Sequence, residues 1–209
     1  LAQDEKQISL KVGDKAPPLK VEKWLKGSAV ARFEEGKITV VEFWATWCGP
    51  CIASMPHLSA LQKAYRDKGV TIVGTNVWES KEYTDETLTK VEAFVKEQGD
   101  RMNYTIAYDG KAGAMAAGYM KASGQNGIPA AFVVDRTGLI AWIGHPMNLD
   151  LALEVIAGDK WDQKSGPDRI KQVEEKLNAI FLKVKEAPKA AVAEWDALER
   201  EYPVLGGMK

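Results

Sequence analysis

Only two cysteines and two histidines occur among the 209 residues of this chain. A zinc site built on the cysteines would need further Cys or His ligands, and only His57 and His145 remain to supply them, so no metal site is expected. Two cysteines are also too few for a disulfide scaffold, and cysteine usage therefore sets no compartment. An excess of charge of either sign is missing as well. The formal net charge of -1 offers nothing to nucleic acid or to an anionic membrane surface. No apolar run approaches the ~20 residues that a membrane-spanning helix needs, so no span is expected in this chain. What is present is enough apolar material, 45% of residues, to fill a core. The length suits one domain and an appendage. The first residues, Leu1-Ala2-Gln3-Asp4-Glu5, suit the stretch after or around a removed signal peptide, and equally an arbitrary boundary.

Both cysteines fall in one short segment, Trp47-Cys48-Gly49-Pro50-Cys51. It follows an apolar run, Ile38 to Ala45, that suits a buried strand, and it precedes a helical stretch through Ile52, Met55, Leu58 and Leu61. A helix N-terminus offers unpaired N–H groups and a partial positive charge, and both favour a thiolate. Cys48 is therefore the expected nucleophile, and Cys51, one turn further in, the less exposed resolving thiol. A bond across so short a loop removes little chain entropy from the unfolded state, so a purely structural disulfide is the poorer explanation. The pattern fits dithiol–disulfide exchange.

The segment Phe43-Trp44-Ala45-Thr46-Trp47-Cys48-Gly49-Pro50-Cys51 resembles the active-site segment of the thioredoxin superfamily. Val12-Gly13-Asp14-Lys15-Ala16-Pro17, with Gly36-Lys37-Ile38 leading into the strand, is similar to the TlpA/ResA-like branch of extracytoplasmic thiol–disulfide oxidoreductases. The likeness covers about residues 11–158, strongest at the cysteines and around Ile128-Pro129. It implies an α/β thioredoxin-like fold, a central mixed β-sheet flanked by helices, here with a C-terminal helical extension. It also implies a periplasmic or otherwise extracytoplasmic location, a redox-active Cys48–Cys51 disulfide with no further cofactor, protein dithiol or disulfide substrates, and an upstream electron donor or acceptor.

The expected organisation is a flexible segment over residues 1–10, a thioredoxin-like domain over 11–160 and a helical hairpin over 165–209. Strands are expected at Lys20–Leu25, Val40–Ala45, Val70–Val77, Ala130–Asp135 and Leu139–Gly144, the last two paired around Arg136-Thr137-Gly138. Helices are expected after Cys51 with a kink at Pro56, from Thr84 to a stop at Gly99, over Gly113–Met120, and over Leu149–Ile156, where the last closes the core. Ile170, Val173, Leu177, Ile180, Phe181 and Val184 keep helical spacing. Pro188 interrupts them, and Val192, Trp195, Leu198 and Tyr202 suggest a second helix. That hairpin is a buttress for the domain, a docking surface, or the start of a further helical region.

Glu42 is a carboxylate inside the apolar strand, on the same face as Val40 and Trp44. The resemblance implies a buried acid here, usually aspartate; burial would raise its pKa and let it accept the proton of Cys51. The other reading is a carboxylate solvated at a strand end. The resemblance also implies a cis bond at Ile128-Pro129, facing the cysteines, with the Ile128 backbone pairing to an extended substrate. Gly124-Gln125-Asn126-Gly127 would let the loop approach, whereas an ordinary trans proline is the plain alternative. Ala130 stands where threonine is common in the family. Trp47 suits an apolar rim for partners, Trp44 suits core packing, and Gly49-Pro50, shared with thioredoxin, would tune the potential towards reduction. His57 and His145 have no partner constellation for cysteine-protease chemistry and suit solvated or packed positions.

Two rival functions stay open. A peroxiredoxin-like peroxidase would carry threonine three residues before its cysteine, where this chain has Ala45. A non-catalytic binding module would have little use for an intact cysteine pair, Glu42 and Pro129. Glu42→Gln is expected to slow turnover without unfolding the protein; rates unchanged across pH would contradict the role given to Glu42.

Overall fold

Seven consecutive residues, Ile38–Trp44, form β2, and all seven are buried. A strand covered on both faces needs such a near-continuous apolar run, and Thr39 and Glu42 are its only polar members. The computed structural model describes residues 9–208. Within them the chain divides into two units, one ending at Met147 and the other beginning at Asn148.

The first unit is built on six strands in the order β1-β4-β3-β2-β5-β6. They are β1 Lys23–Lys26, β2, β3 Val70–Asn76, β4 Thr105–Tyr108, β5 Ala130–Val134 and β6 Ile140–Gly144. β3 runs parallel to β2 and β4, whereas β1, β5 and β6 pair antiparallel with their neighbours. The sheet is mixed, as the resemblance implied. β4 is absent from the sequence reading. Its four residues are too few for a period to show, and its place is set by pairing with β3 and β1.

Helix α1, Gly49–Tyr65, follows β2 directly. Gln62 fastens it to β3, donating to the Val70 carbonyl at 2.9 Å and accepting from the Ile72 N–H at 2.7 Å. The helix continues through Pro56. Proline cannot donate to the carbonyl four residues back, and that carbonyl, of Ile52, accepts from the Arg101 guanidinium at 3.3 Å instead. Helix α2, Asp85–Gln98, starts at Thr84, whose N–H donates to Thr87 Oγ1, and ends at Gly99. Over Ala116–Lys121 the expected helix is wound as a π-helix.

One sheet face packs Val41, Phe43, Phe132 and Ile140 against Met115, Tyr119 and Met120. Phe43, Phe132 and Tyr119 form a ring cluster with centroids 5.3 to 5.7 Å apart. On the other face Trp44 is fully buried and stacks on Phe94, which confirms it as packing. Of the N-terminal segment expected to be flexible, residues 1–8 lie outside the described residues. Ser9 and Leu10 both donate to the Ala122 carbonyl, and Leu10 is buried in the core.

The second unit holds α3 Leu149–Ala157, α4 Gly166–Lys183, α5 Pro188–Glu201 and a 3₁₀ stretch, Pro203–Met208. The helix expected to close the sheet domain, α3, packs with α4 and with Pro203–Met208, so the division falls ahead of the expected 160–165. Ile170, Val173, Leu177 and Ile180 are buried, as their spacing required, but Phe181 and Val184 are exposed. Phe181 packs edge-on against Trp195 of α5, and Lys183 pairs with Glu194 at 2.8 Å. Pro188 opens α5, the helical position where a missing N–H costs least.

Candidate active site

The turn from β2 into α1 takes four residues, Ala45–Cys48, and the Cys48 N–H closes it on the Ala45 carbonyl at 3.1 Å. Cys48 is the N-cap of α1: its backbone is extended, and its Sγ accepts from the Cys51 N–H at 3.2 Å. Gly49 and Pro50 occupy the first helical turn and are exposed. Cys48 and Cys51 are joined as a disulfide with Cα atoms 5.3 Å apart. Cys51 is wholly buried and Cys48 is 4% exposed, so Cys48 is the more exposed of the pair.

Ile128-Pro129 is a cis bond, and it faces the pair from the loop before β5. The Ile128 carbonyl oxygen lies 3.8 Å from Cys48 Sγ. These two segments are separated by 80 residues in sequence and meet because β2 and β5 are neighbours in the sheet.

Trp47 is 57% exposed, and its indole N–H donates to the Trp78 carbonyl at 3.0 Å. Trp78 has φ +53°, the left-handed region that side chains other than glycine seldom adopt. The two exposed tryptophans make an aromatic rim beside Cys48. Trp78 also begins the wall of a cleft of about 810 Å³ that includes Tyr83, Lys111, Lys121, Gln125 and Asn126.

The residue after Trp78 was not singled out in the sequence. Glu79 is buried and accepts from the Thr46 N–H at 3.0 Å, the Thr46 hydroxyl, the Asn76 amide at 3.0 Å and Lys90 at 2.9 Å. Burial alone would raise its pKa; the hydrogen bonds from Asn76, Thr46 and Lys90 outweigh that and hold it below the usual carboxylate value. Glu79 thus ties the turn carrying Cys48 to the loop after β3. A Glu in a polar loop carries no sequence signal of burial, and only Asn76 and Lys90, both distant from the cysteines in sequence, complete the set.

Glu42 lies on β2 opposite Gly74 of β3 and Ala131 of β5. It is 1% exposed, and its Oε2 is buried with no hydrogen-bond partner, which removes the solvated reading. Burial pushes its pKa up to about 8. His145 is exposed and accepts from the Met147 N–H, and His57 lies half-buried on α1. Among the described residues no three His, Cys, Asp or Glu side chains gather as a metal site.

Between about pH 4.5 and pH 8 the folded protein holds a Glu42 proton that the unfolded chain has released. The Glu42 contribution to stability is therefore full below 4.5 and is lost as pH rises to 8, by about 5 kcal/mol if the whole shift is expressed. Glu42→Gln cannot ionise and should flatten that slope. Denaturant unfolding of both proteins between pH 5 and pH 9 checks it; equal slopes would contradict the burial of an ionisable Glu42.

The Redoxin family profile matches residues 11–150. Protein FixW of Rhizobium leguminosarum is 35% identical over 162 residues, 78% of this chain and 72% of that protein. The thiol-disulfide oxidoreductase ResA of Bacillus thuringiensis is 30% identical over 136 residues, covering 65% of this chain and 70% of ResA. A crystal structure assigned as the thiol:disulfide interchange protein DsbE of Chlorobium tepidum superposes with TM-score 0.56 and 27% identity, over 72% of this chain and all of that one.

Proposed function

Because this chain belongs to the Redoxin family and is a thiol–disulfide oxidoreductase of the TlpA/ResA-like branch of the thioredoxin superfamily, we propose that it reduces or exchanges disulfides of extracytoplasmic proteins through Cys48 and Cys51. The observation that carries this reading is Cys48 at the N-cap of α1, bonded to a buried Cys51 and faced by the Ile128 carbonyl.

In the reducing direction a donor thiolate attacks Cys48 Sγ. The S–S bond breaks with its electron pair on Cys51, and Glu42, protonated below about pH 8, supplies the proton. A second donor thiolate then frees Cys48. The Cys48 thiolate, favoured by the Cys51 N–H and the helix terminus, attacks a substrate disulfide and releases one substrate thiolate. Cys51 gives its proton back to the Glu42 carboxylate and attacks Cys48 Sγ, releasing the second. The substrate gains two electrons and the cysteine pair loses them. Glu42 acts as donor in one half and acceptor in the other, which suits a group titrating near neutrality.

The Ile128 backbone beside Pro129 is the proposed ledge for an extended substrate segment, and Trp47 with Trp78 the apolar rim on which partners dock. The cleft beyond Trp78 belongs to the stretch between Trp78 and Met120, where partner preference is expected to be written. Gly49-Pro50, the dipeptide of thioredoxin, favours the reducing direction. The extracytoplasmic setting is supported by the likeness to ResA and DsbE. No helix among the described residues is long and apolar enough to cross a membrane. The pair itself carries the electrons in this scheme, so the proposal calls on no further cofactor.

Cys51→Ser should trap a mixed disulfide between Cys48 and a protein disulfide substrate and stop multiple turnover, while Cys48→Ser should form no adduct. Non-reducing mass spectrometry reads both; adducts on Cys51 in Cys48→Ser would reverse the assigned roles.

A further inference from the structure

A second buried polar group without a hydrogen-bond partner lies beside Glu42. The Tyr104 side chain is 5% exposed, and its hydroxyl, like Glu42 Oε2, has no partner. Gly74 brings the two together. From β3 it is the register partner of Glu42 on β2 and of Ile106 on β4. A Cβ there would stand 2.8 Å from Tyr104 Cε2 and 3.3 Å from Glu42 Oε2. Both groups therefore crowd the space over one residue, and any side chain at position 74 would push them apart. The electrostatics agree: the Tyr104 hydroxyl is held well above the usual phenol range, first by burial and then by the negative charge of Glu42. The remaining residues in register with Glu42 do not titrate, Gly74 on β3 and Ala131 on β5. The cysteine pair stands beyond the C-terminal end of the same strand.

We propose that Tyr104 is the positioning residue for Glu42: its hydroxyl stands beside the protonated carboxyl group without a partner and turns to donate to it once the carboxylate forms. While Glu42 is protonated the two groups are not hydrogen-bonded to each other. When Glu42 has given its proton to Cys51, the phenol O–H donates to the carboxylate. A buried carboxylate with no donor is costly, and a hydroxyl without a partner is free to supply that donor when the charge appears. The outer side of Tyr104 walls a cleft of about 540 Å³ at the opposite end of the strands from Cys48, with Thr39, Thr71, Thr105 and Gln62 among its lining. The proposal rests on the proton-transfer role given to Glu42.

The test is the titration of the Glu42 carboxyl group by infrared spectroscopy in the oxidised protein, its band assigned by loss in Glu42→Gln. Tyr104→Phe keeps the ring and removes the donor, so the Glu42 midpoint should rise by about one to two pH units. Gly74→Ala, which forces the groups apart, should move it the same way and guards against a local defect in the first variant. The limb of the pH–rate profile assigned to Glu42 should move with the midpoint, and Glu42→Gln with Tyr104→Phe should be no slower than Glu42→Gln alone. An unchanged midpoint in a natively folded Tyr104→Phe overturns the pairing. If Glu42→Gln instead keeps native rates at all pH values, the proton role of Glu42 fails, and the infrared midpoint still decides whether Tyr104 holds it.

Discussion

Everything at the redox centre depends on one hydrogen bond, from the Cys51 N–H to Cys48 Sγ at 3.2 Å. It exists because only a four-residue turn separates β2 from α1, so that Cys48 takes the N-cap position normally held by an oxygen-bearing side chain. A sulfur there meets donors that the helix cannot use internally. The same constraint places Cys51 a turn inside the helix, fully buried, and so separates an attackable sulfur from a protected one. Gln62 and Arg101 hold α1 in position, the first against β3 and the second at the carbonyl that Pro56 leaves without a donor.

Around that bond the protein keeps two buried carboxylates in opposite states. Glu79 has four donors, stays charged and locks the turn through Thr46. Glu42 has no partner for Oε2 and stays protonated to about pH 8. Hydrogen bonding decides between the two roles, since both side chains are removed from water. Glu79 adds stability when ionised, whereas Glu42 costs stability when ionised. A strand as thoroughly buried as β2 would be more stable with an apolar residue at position 42; in the proposed mechanism the acid is there to exchange a proton.

The sequence showed the centre more clearly than its supports. Cys48, Cys51 and the strand-to-helix junction stood out because residue type, spacing and apolar pattern all agree locally. The cis Ile128-Pro129 was visible only through resemblance, since nothing local distinguishes it from a trans bond. β4 escaped because a four-residue strand is placed by its neighbours. Glu79, Trp78 and Tyr104 escaped for a related reason. Each acquires its meaning from a residue on another element: Thr46 across a turn, the Trp47 indole, and Glu42 over Gly74. On α4 helical spacing finds an apolar stripe but not its width: Ile170, Val173, Leu177 and Ile180 are buried, whereas Phe181 and Val184 are exposed.

The most direct measurement is an equilibrium redox titration of Cys48–Cys51 against a dithiol buffer. The account predicts a reversible two-electron couple on the reducing side, close to the value of about -270 mV typical of thioredoxin. A couple near about -120 mV would contradict the reducing direction, and no reversible couple at all would contradict dithiol–disulfide exchange itself.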